Sequence, residues 1–497
     1  MKKTTKLLTA MIALLLVLPM TFSLVSCNKD KNTETTTEAG SAGTQAVDNT
    51  GSVPTLDIKD MDGRELKMLF PETHVDGHYL NNELAVEGTA TNTIEEAVIL
   101  RNMAVESAYN VSITSSTAFV SDVSQTIRNE GFLGESTYAA IAAPIANSKL
   151  NSIVQEGYLA DFNKLAYYYE DNQPWWNHDL MDDLSIANAR FFASGDIIYS
   201  DDFYPYCVYV NTAVSQAQGI TDDYFDLVRN YQWTLEKFHE LAADVASGYD
   251  YTGDGMDAMH GAVINANFYR TAYYSAGKGL IATDSKGYPQ WVMTKEYATD
   301  ILDKVNAIVH DDSACTFSDK ISDDHVTNEK KLFANNKSLF LVEELIFSER
   351  ITRYETQVDF KVLPFPLYDE NSEYRTVLND ALVIAVPTMA GNKDDISLIL
   401  SAMSRESVST LTPVFFETVL TYRYMQDAGS VEMLQIVLDS VVAPDIATIQ
   451  KWGNMMQGFK DLGYENSNAF ASVYDERFEV AMGALEDYCV LLDNYYR

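Results

Sequence analysis

A chain of 497 residues is long for one hydrophobic core and natural for two, so two lobes are the first expectation. Its 35 Lys and Arg face 72 Asp and Glu, a formal net charge of −37 that repels nucleic acid, whose affinity depends on neutralising phosphates. Four cysteines in so long a chain supply no disulfide framework, so the fold must hold by burial.

The chain opens on Lys2, Lys3 and Lys6, followed by an apolar run from Leu7 to Leu18 that Pro19 interrupts. That order reads as a secretory signal rather than a spanning helix. At its end Leu24-Val25-Ser26-Cys27 resembles the signal of a bacterial lipoprotein. The resemblance implies that residues 1–26 are a signal peptide and that the Cys27 thiol is acylated. Everything after it would then work at the extracellular face of the cell membrane, held by palmitate-type lipid. Asn28 to Ser52 has no aromatic residue and only Val47 as a sizeable aliphatic, so it cannot offset its ordering entropy by burial. Residues 27–55 are therefore expected to be a tether, reaching roughly 5–6 Å times the square root of its length. No second apolar run has the length of a membrane span.

A folded unit is expected from Leu56. Leu66 to Phe70 reads as a strand stopped by Pro71, and Thr93 with Glu96 as a capping box opening a helix. Asp122 to Arg128 reads as a short helix, and Val111–Thr114 and Tyr138–Ala143 as further strands. Strands alternating with helices argue for an α/β lobe with a largely parallel sheet. Ile197 to Asn211 is strand-like and broken by Pro205. Thr234 caps a helix with Leu235, Phe238, Leu241 and Val245 on one face. Leu339–Val342 is a short buried strand, Val362–Pro366 and Ala381–Pro387 are extended, and the pattern is helical from Asp394.

Several segments, in order, resemble one family. They are TIEEAVILRNMAVESAYNVSI (Thr93–Ile113), PWWN (Pro174–Asn177), YQWTLEKFHELA (Tyr231–Ala242), YTGDGMDAMHG (Tyr251–Gly261), NKSLFLVEE (Asn336–Glu344) and FKVLPFPLYDENSEYRTVLND (Phe360–Asp380). Together they are similar to the lipid-anchored, sugar-type solute-binding proteins of ABC importers, distant relatives of maltose-binding protein. The resemblance implies an α/β, two-lobed periplasmic-binding-protein-like (type II) fold with a ligand cleft between the lobes. The first lobe would comprise residues 56–205 and 362–392, the second 206–361 and 393–497. It further implies capture of an extracellular carbohydrate, an oligosaccharide, by hinge closure, with delivery by a monomeric receptor to a membrane permease and no cofactor. A surface glycan-binding lipoprotein without a permease and a secreted glycosidase are the alternatives.

Read for chemistry, Asp250, Thr252 and Asp254 resemble the start of a calcium loop, but Gly261 stands where a bidentate Glu belongs, so a plain turn is preferred. Scattered histidines give no zinc spacing, and no phosphate loop or nucleophile elbow appears. The acidic pairs Asp182/Asp183 and Glu343/Glu344 are the type a glycosidase uses, yet chance pairs abound in so acidic a chain. Thirty Tyr, 22 Phe and five Trp offer flat faces for sugar rings as well as core. Trp233 reads as structural, while Trp175 and Trp176 stay open between core and cleft. By resemblance, Asp201, Asp202 and Tyr204 line one side of the ligand, Glu343 and Glu344 the other. Asn379 and Asp380 would sit at the return crossover, with Trp452 over one sugar face. The anchoring expectation is tested directly. Cys27→Ala should yield protein that is released, or retained with its signal uncut. A cleaved, mature-length variant still partitioning into detergent would refute it.

Overall fold

The computed structural model describes residues 56–72, 83–145, 148–168, 173–199, 204–245, 255–312, 314–321, 325–347, 358–378, 382–416 and 428–496. Strand β1 (Arg64–Pro71) buries Leu66, Met68, Leu69 and Phe70. Helix α1 (Thr93–Tyr109) starts one residue earlier than the Thr93/Glu96 pair suggests. Asn92 is the cap, its side chain accepting the Glu95 amide at 2.9 Å, while the Glu95 carboxylate accepts the Thr91 amide at 2.6 Å. Asn110, at φ 50°, ends the helix in the left-handed region and turns the chain straight into β2 (Val111–Ala118). After α2 (Val123–Leu133), β3 (Ala140–Pro144) pairs parallel with β1, which pairs parallel with β2 on its other side. Helices α3 (Leu150–Gln155) and α4 (His178–Asp183) complete this part of the lobe.

The chain then crosses over. Strand β4 (Tyr206–Asn211) is buried throughout, and α5 (Leu235–Val245) follows from Thr234, whose hydroxyl accepts the Lys237 amide at 3.2 Å. Next come β5 (His260–Ile264), α6 (Asn267–Ser275), the hairpin β6 (Ile281–Thr283) and β7 (Pro289–Trp291), and α7 (Lys295–Val309). Strands β8 (Cys315–Phe317), β9 (Ser338–Glu344) and β10 (Phe360–Pro364) complete a five-stranded sheet in the order β10-β4-β9-β5-β8. Within it β9, β5 and β8 are mutually parallel, and β4 runs antiparallel to both its neighbours.

Strand β11 (Thr376–Val377) leads to β12 (Leu382–Ala385), which returns to the first sheet antiparallel to β3, giving the order β12-β3-β1-β2. Helix α8 (Lys393–Ser407) packs on α1, and β13 (Val441–Val442) pairs with β11. Helices α9 (Ile446–Ile449), α10 (Met455–Tyr464) and α11 (Phe470–Tyr496) end the chain, α10 and α11 packing on each other and on α7.

Two expected boundaries differ from the packing. Residues 362–364 belong to the second sheet, because β10 pairs residue by residue with β4 from Phe360↔Asn211 to Pro364↔Cys207. The return crossover therefore lies after Pro364. Helix α8, expected in the second lobe, buries Leu398, Ile399, Leu400 and Met403 in the same core as Val105 and Tyr109 of α1. Trp175 and Trp176 are core residues of this lobe, and Trp233 is buried with its indole N–H donating to the Pro364 carbonyl at 2.9 Å.

Arg101 on α1 holds the first lobe's irregular segments together. Fully buried, it donates to the carbonyls of Glu83 (2.9 Å), Leu84 (2.8 Å) and Ile197 (2.9 Å), and to Asn102 Oδ1 at 2.9 Å. Burial pulls its pKa down and the charge of Glu83 opposes that shift. Arg101→Met should cost about 3–5 kcal/mol, because it withdraws a donor from three buried carbonyls, Leu84 keeping its bond from Asn102, and leaves Glu83 without its counter-charge. Urea unfolding followed by tryptophan fluorescence measures it, and a loss under about 1 kcal/mol would contradict this role.

Candidate ligand-binding site

Ligands of open α/β sheets bind beyond the carboxyl ends of the strands, and the carboxyl end of β3 leads to the junction of the lobes. A cavity of about 360 Å³ lies there, within the usual range for small-ligand sites. The first lobe contributes Ile145, immediately after β3, Asn151 on α3, and Asp182 and Asp183 at the end of α4. The second contributes Tyr274 of α6, the β6–β7 hairpin, Asp445 and Ile449 around α9, and Tyr488 of α11; Arg375, before β11, completes the lining.

Most of the charge in this cavity is already engaged. Arg190 pairs with Asp182 through both Nε and Nη2, the Nε bond being 2.8 Å. Asp445 caps α9 by accepting the Thr448 amide at 2.9 Å, and its other oxygen takes the Leu280 amide at 2.6 Å and the Tyr274 hydroxyl at 3.0 Å. A Cβ on Gly279 would sit 2.3 Å from that oxygen, so only glycine fits there. Asp183 accepts the Ala443 amide at 3.3 Å across the lobe junction. The surrounding protein pushes the Asp183 carboxyl upward, aided by Asp179 and Asp182 and opposed by the Ala443 N–H and Arg375, although its side chain is still wetted by the cavity. Asn151 differs from all of these: it is 3% exposed, and neither its Oδ1 nor its Nδ2 has a hydrogen-bond partner among the described residues.

The residues expected at the ligand fall in three groups. Cys27, Asp201, Asp202, Asn379 and Asp380 lie outside the described residues, as do Asp250, Thr252 and Asp254 of the calcium-like loop. Among the described residues no group of His, Cys, Asp and Glu could hold a metal ion. Tyr204 is buried in the core. Glu343 and Glu344 end β9 and belong to a polar cluster in the second lobe. There Asn265 donates to Glu343 at 2.9 Å, Asn267 donates to the Tyr206 hydroxyl at 3.0 Å, and Lys460 donates to Asn267 at 2.6 Å. Burial, with Arg270 nearby, brings the Lys460 ammonium down to about 8, and burial beside Glu343 and Glu344 pushes the Tyr206 phenol well up.

Trp452 is a correction. It is 4% exposed, its indole N–H donates to Gln450 at 2.8 Å, and its ring meets Tyr488 edge-on at 5.4 Å. The ring that lines the cavity is Tyr488, and Trp452 supports it from behind. Of the acidic pairs weighed in the sequence, Asp182/Asp183 reaches the cavity and Glu343/Glu344 does not line it. Asn151, Tyr274, Arg375 and Tyr488 carry no sequence signal, since each is an ordinary residue on an ordinary element. A wider depression of about 830 Å³ on the second lobe, lined by Asp303, His310 and Glu465 among others, receives residues from that lobe alone and cannot couple a ligand to lobe motion.

These features define a two-lobed solute-binding-protein fold with its cavity at the lobe junction. Solved structures share it. A sugar transporter protein from Rhizobium etli, in an open conformation, aligns with a TM-score of 0.58 at 15% identity, over 84% of this chain and 98% of that one. The cyclic α-maltosyl-1,6-maltose-binding protein of Arthrobacter globiformis aligns at 0.58 and 11%, over 85% and 99%. An ABC substrate-binding protein of Listeria monocytogenes, solved with cycloalternan, aligns at 0.56 and 12%, over 85% and 99%. No protein-family model and no curated protein sequence matches the chain.

The two lobes meet at the cavity rim through backbone. The Ala187 amide donates to the Gly287 carbonyl at 3.0 Å, joining a tight first-lobe turn (Ala187 at φ 49°, Asn188 at φ 63°) to the hairpin tip. A Cβ on Gly287 would lie 2.5 Å from the Asn188 nitrogen and 2.7 Å from the Ala187 carbonyl carbon. Gly287→Ala should therefore separate the lobes and raise the radius of gyration in solution scattering. Gly219→Ala is the control: it has a similar φ of +71° with nothing within 4 Å, so it tests backbone strain alone. Equal radii for the two variants would refute the rim contact as a closure element.

Proposed function

We propose that this protein is the substrate-binding receptor of an ABC importer, capturing an extracellular carbohydrate between its lobes and presenting it to a membrane permease. The observation that carries this reading is the cavity built from both lobes, with polar groups and two tyrosine rings around a space of small-ligand size. Aligned structures solved with maltotriose, maltotetraose and acarbose support a carbohydrate, and an oligosaccharide in particular.

The mechanism is binding, with no chemical step. A ligand held by both lobes contacts the closed form alone, so its binding energy shifts the hinge equilibrium toward closure. The closed shape is what the permease reads. We further propose that the receptor works as a monomer, without cofactor, tethered to the extracellular face of the membrane through acylated Cys27.

A thermal-shift screen against neutral mono- and oligosaccharides tests this function. A true ligand at about a hundred times its dissociation constant adds about 2.7 kcal/mol and raises the melting temperature by several degrees. The same sugar should reduce the radius of gyration. A panel that stabilises nothing, or a stabilising sugar that leaves the scattering curve unchanged, counts against hinged carbohydrate capture.

A further inference from the structure

Asn151 is an exception among the buried asparagines. Asn102 donates to the Leu84 carbonyl at 2.8 Å and accepts from Arg101 at 2.9 Å. Asn211 donates to Asn336 at 2.9 Å and accepts the Val214 amide at 3.0 Å. Asn306 accepts the Tyr269 hydroxyl at 2.8 Å. Asn151 is as buried as these, yet among the described residues both its amide atoms lack partners, and it lines the cavity between the lobes. An unpaired buried donor and acceptor in one side chain is a cost that a native fold keeps only where something else meets it.

We propose that Asn151 reads a vicinal pair of hydroxyls on a neutral sugar ring, donating from Nδ2 to one and accepting at Oδ1 from the other. This deepens, and rests on, the carbohydrate-receptor reading. The chemistry selects the class. The amide presents one donor and one acceptor side by side. A carboxylate ligand offers acceptors only and would leave Oδ1 unmet, and an ammonium offers donors only and would leave Nδ2 unmet. An acetamido group is a trans amide with its N–H and C=O pointing opposite ways, so it cannot meet both atoms together. Adjacent hydroxyls can, because each rotates to donate or accept.

The same residue couples sugar to closure. Ile449 and Tyr488 of the second lobe line the cavity with Asn151, and α11 packs against α3 across the junction. With the lobes together and no sugar, the amide is shut away unpaired. A sugar diol supplies both bonds at the moment water is excluded, so Asn151 penalises empty closure and rewards loaded closure.

Calorimetry on the full chain tests this with neutral mono- to pentasaccharides of glucose, mannose, galactose, xylose and arabinose as probes. The sugar that binds wild type should lose at least about tenfold on Asn151→Leu, which fills the space without polar atoms. The ligand-free variant should melt no lower than wild type and show a smaller radius of gyration, since empty closure no longer isolates an amide. A monodeoxy series of the bound sugar should weaken wild type at one adjacent hydroxyl pair and leave Asn151→Leu indifferent there. If Asn151→Leu does not fold, Asn151→Asp replaces it, keeping the shape and losing the donor, with the same tenfold expectation. A sugar that binds wild type and either variant within about twofold overturns the Asn151 assignment alone. A panel in which no sugar binds wild type overturns the carbohydrate reading, and this assignment with it.

Discussion

The antiparallel pairing of Leu382–Ala385 with Ile141–Pro144 is the contact on which the architecture depends. It brings a late segment of the chain back to the edge of a sheet begun near residue 64, so everything between the two crossovers must fold as a second body. Strand β12 is buried at every residue, which makes the return a core commitment rather than a surface contact. It also fixes β3 as an inner strand, and the carboxyl end of β3 is where Ile145 reaches the cavity. Both the two-lobed shape and the place of the site follow from that one register.

Electrostatics in the cavity follow a consistent logic. The chain is strongly acidic, yet the carboxylates at the lobe junction are each tied to a specific donor: Asp182 to Arg190, Asp445 to two backbone amides and Tyr274, and Asp183 to the Ala443 amide. A buried carboxylate without such donors would be pushed toward its neutral form. With these carboxylates tied to donors, the lining combines the Arg375 guanidinium and the wetted Asp183 carboxyl with a neutral amide and the side chains of Tyr274 and Tyr488. Such a lining offers donors, acceptors and aromatic rings together, the mixture that small-ligand clefts use to fix orientation.

The second polar cluster, around Glu343, Asn265, Asn267 and Lys460, has a different character. Its groups bond mainly to one another, from the end of β9, the start of α6 and α10. One acidic, one basic and two amide side chains held this way fix the orientation of α6 and α10 relative to the sheet. Tyr274 lies on the same helix as Asn267 and Arg270, so a rigid α6 also steadies a ring of the cavity.

Much of the fold was legible in the residues alone. The alternation of strands and helices through β1, α1, β2 and β3, the Thr234 start of α5 and the buried run of β9 all follow from local periodicity and capping chemistry, which neighbouring residues determine. The side of the molecule to which β10 and α8 belong could not be read that way, because an apolar strand or helix carries no label for its partner. Pairing with β4 and packing on α1 decided it. The site was less legible still. Trp452 and the acidic residues stood out by type, whereas the cavity is lined by Asn151, Tyr274 and Tyr488, common residues made special by where distant elements meet. A side chain's chemistry is written in the sequence, but whether it is buried, paired or left unmet depends on contacts that form only in the folded chain.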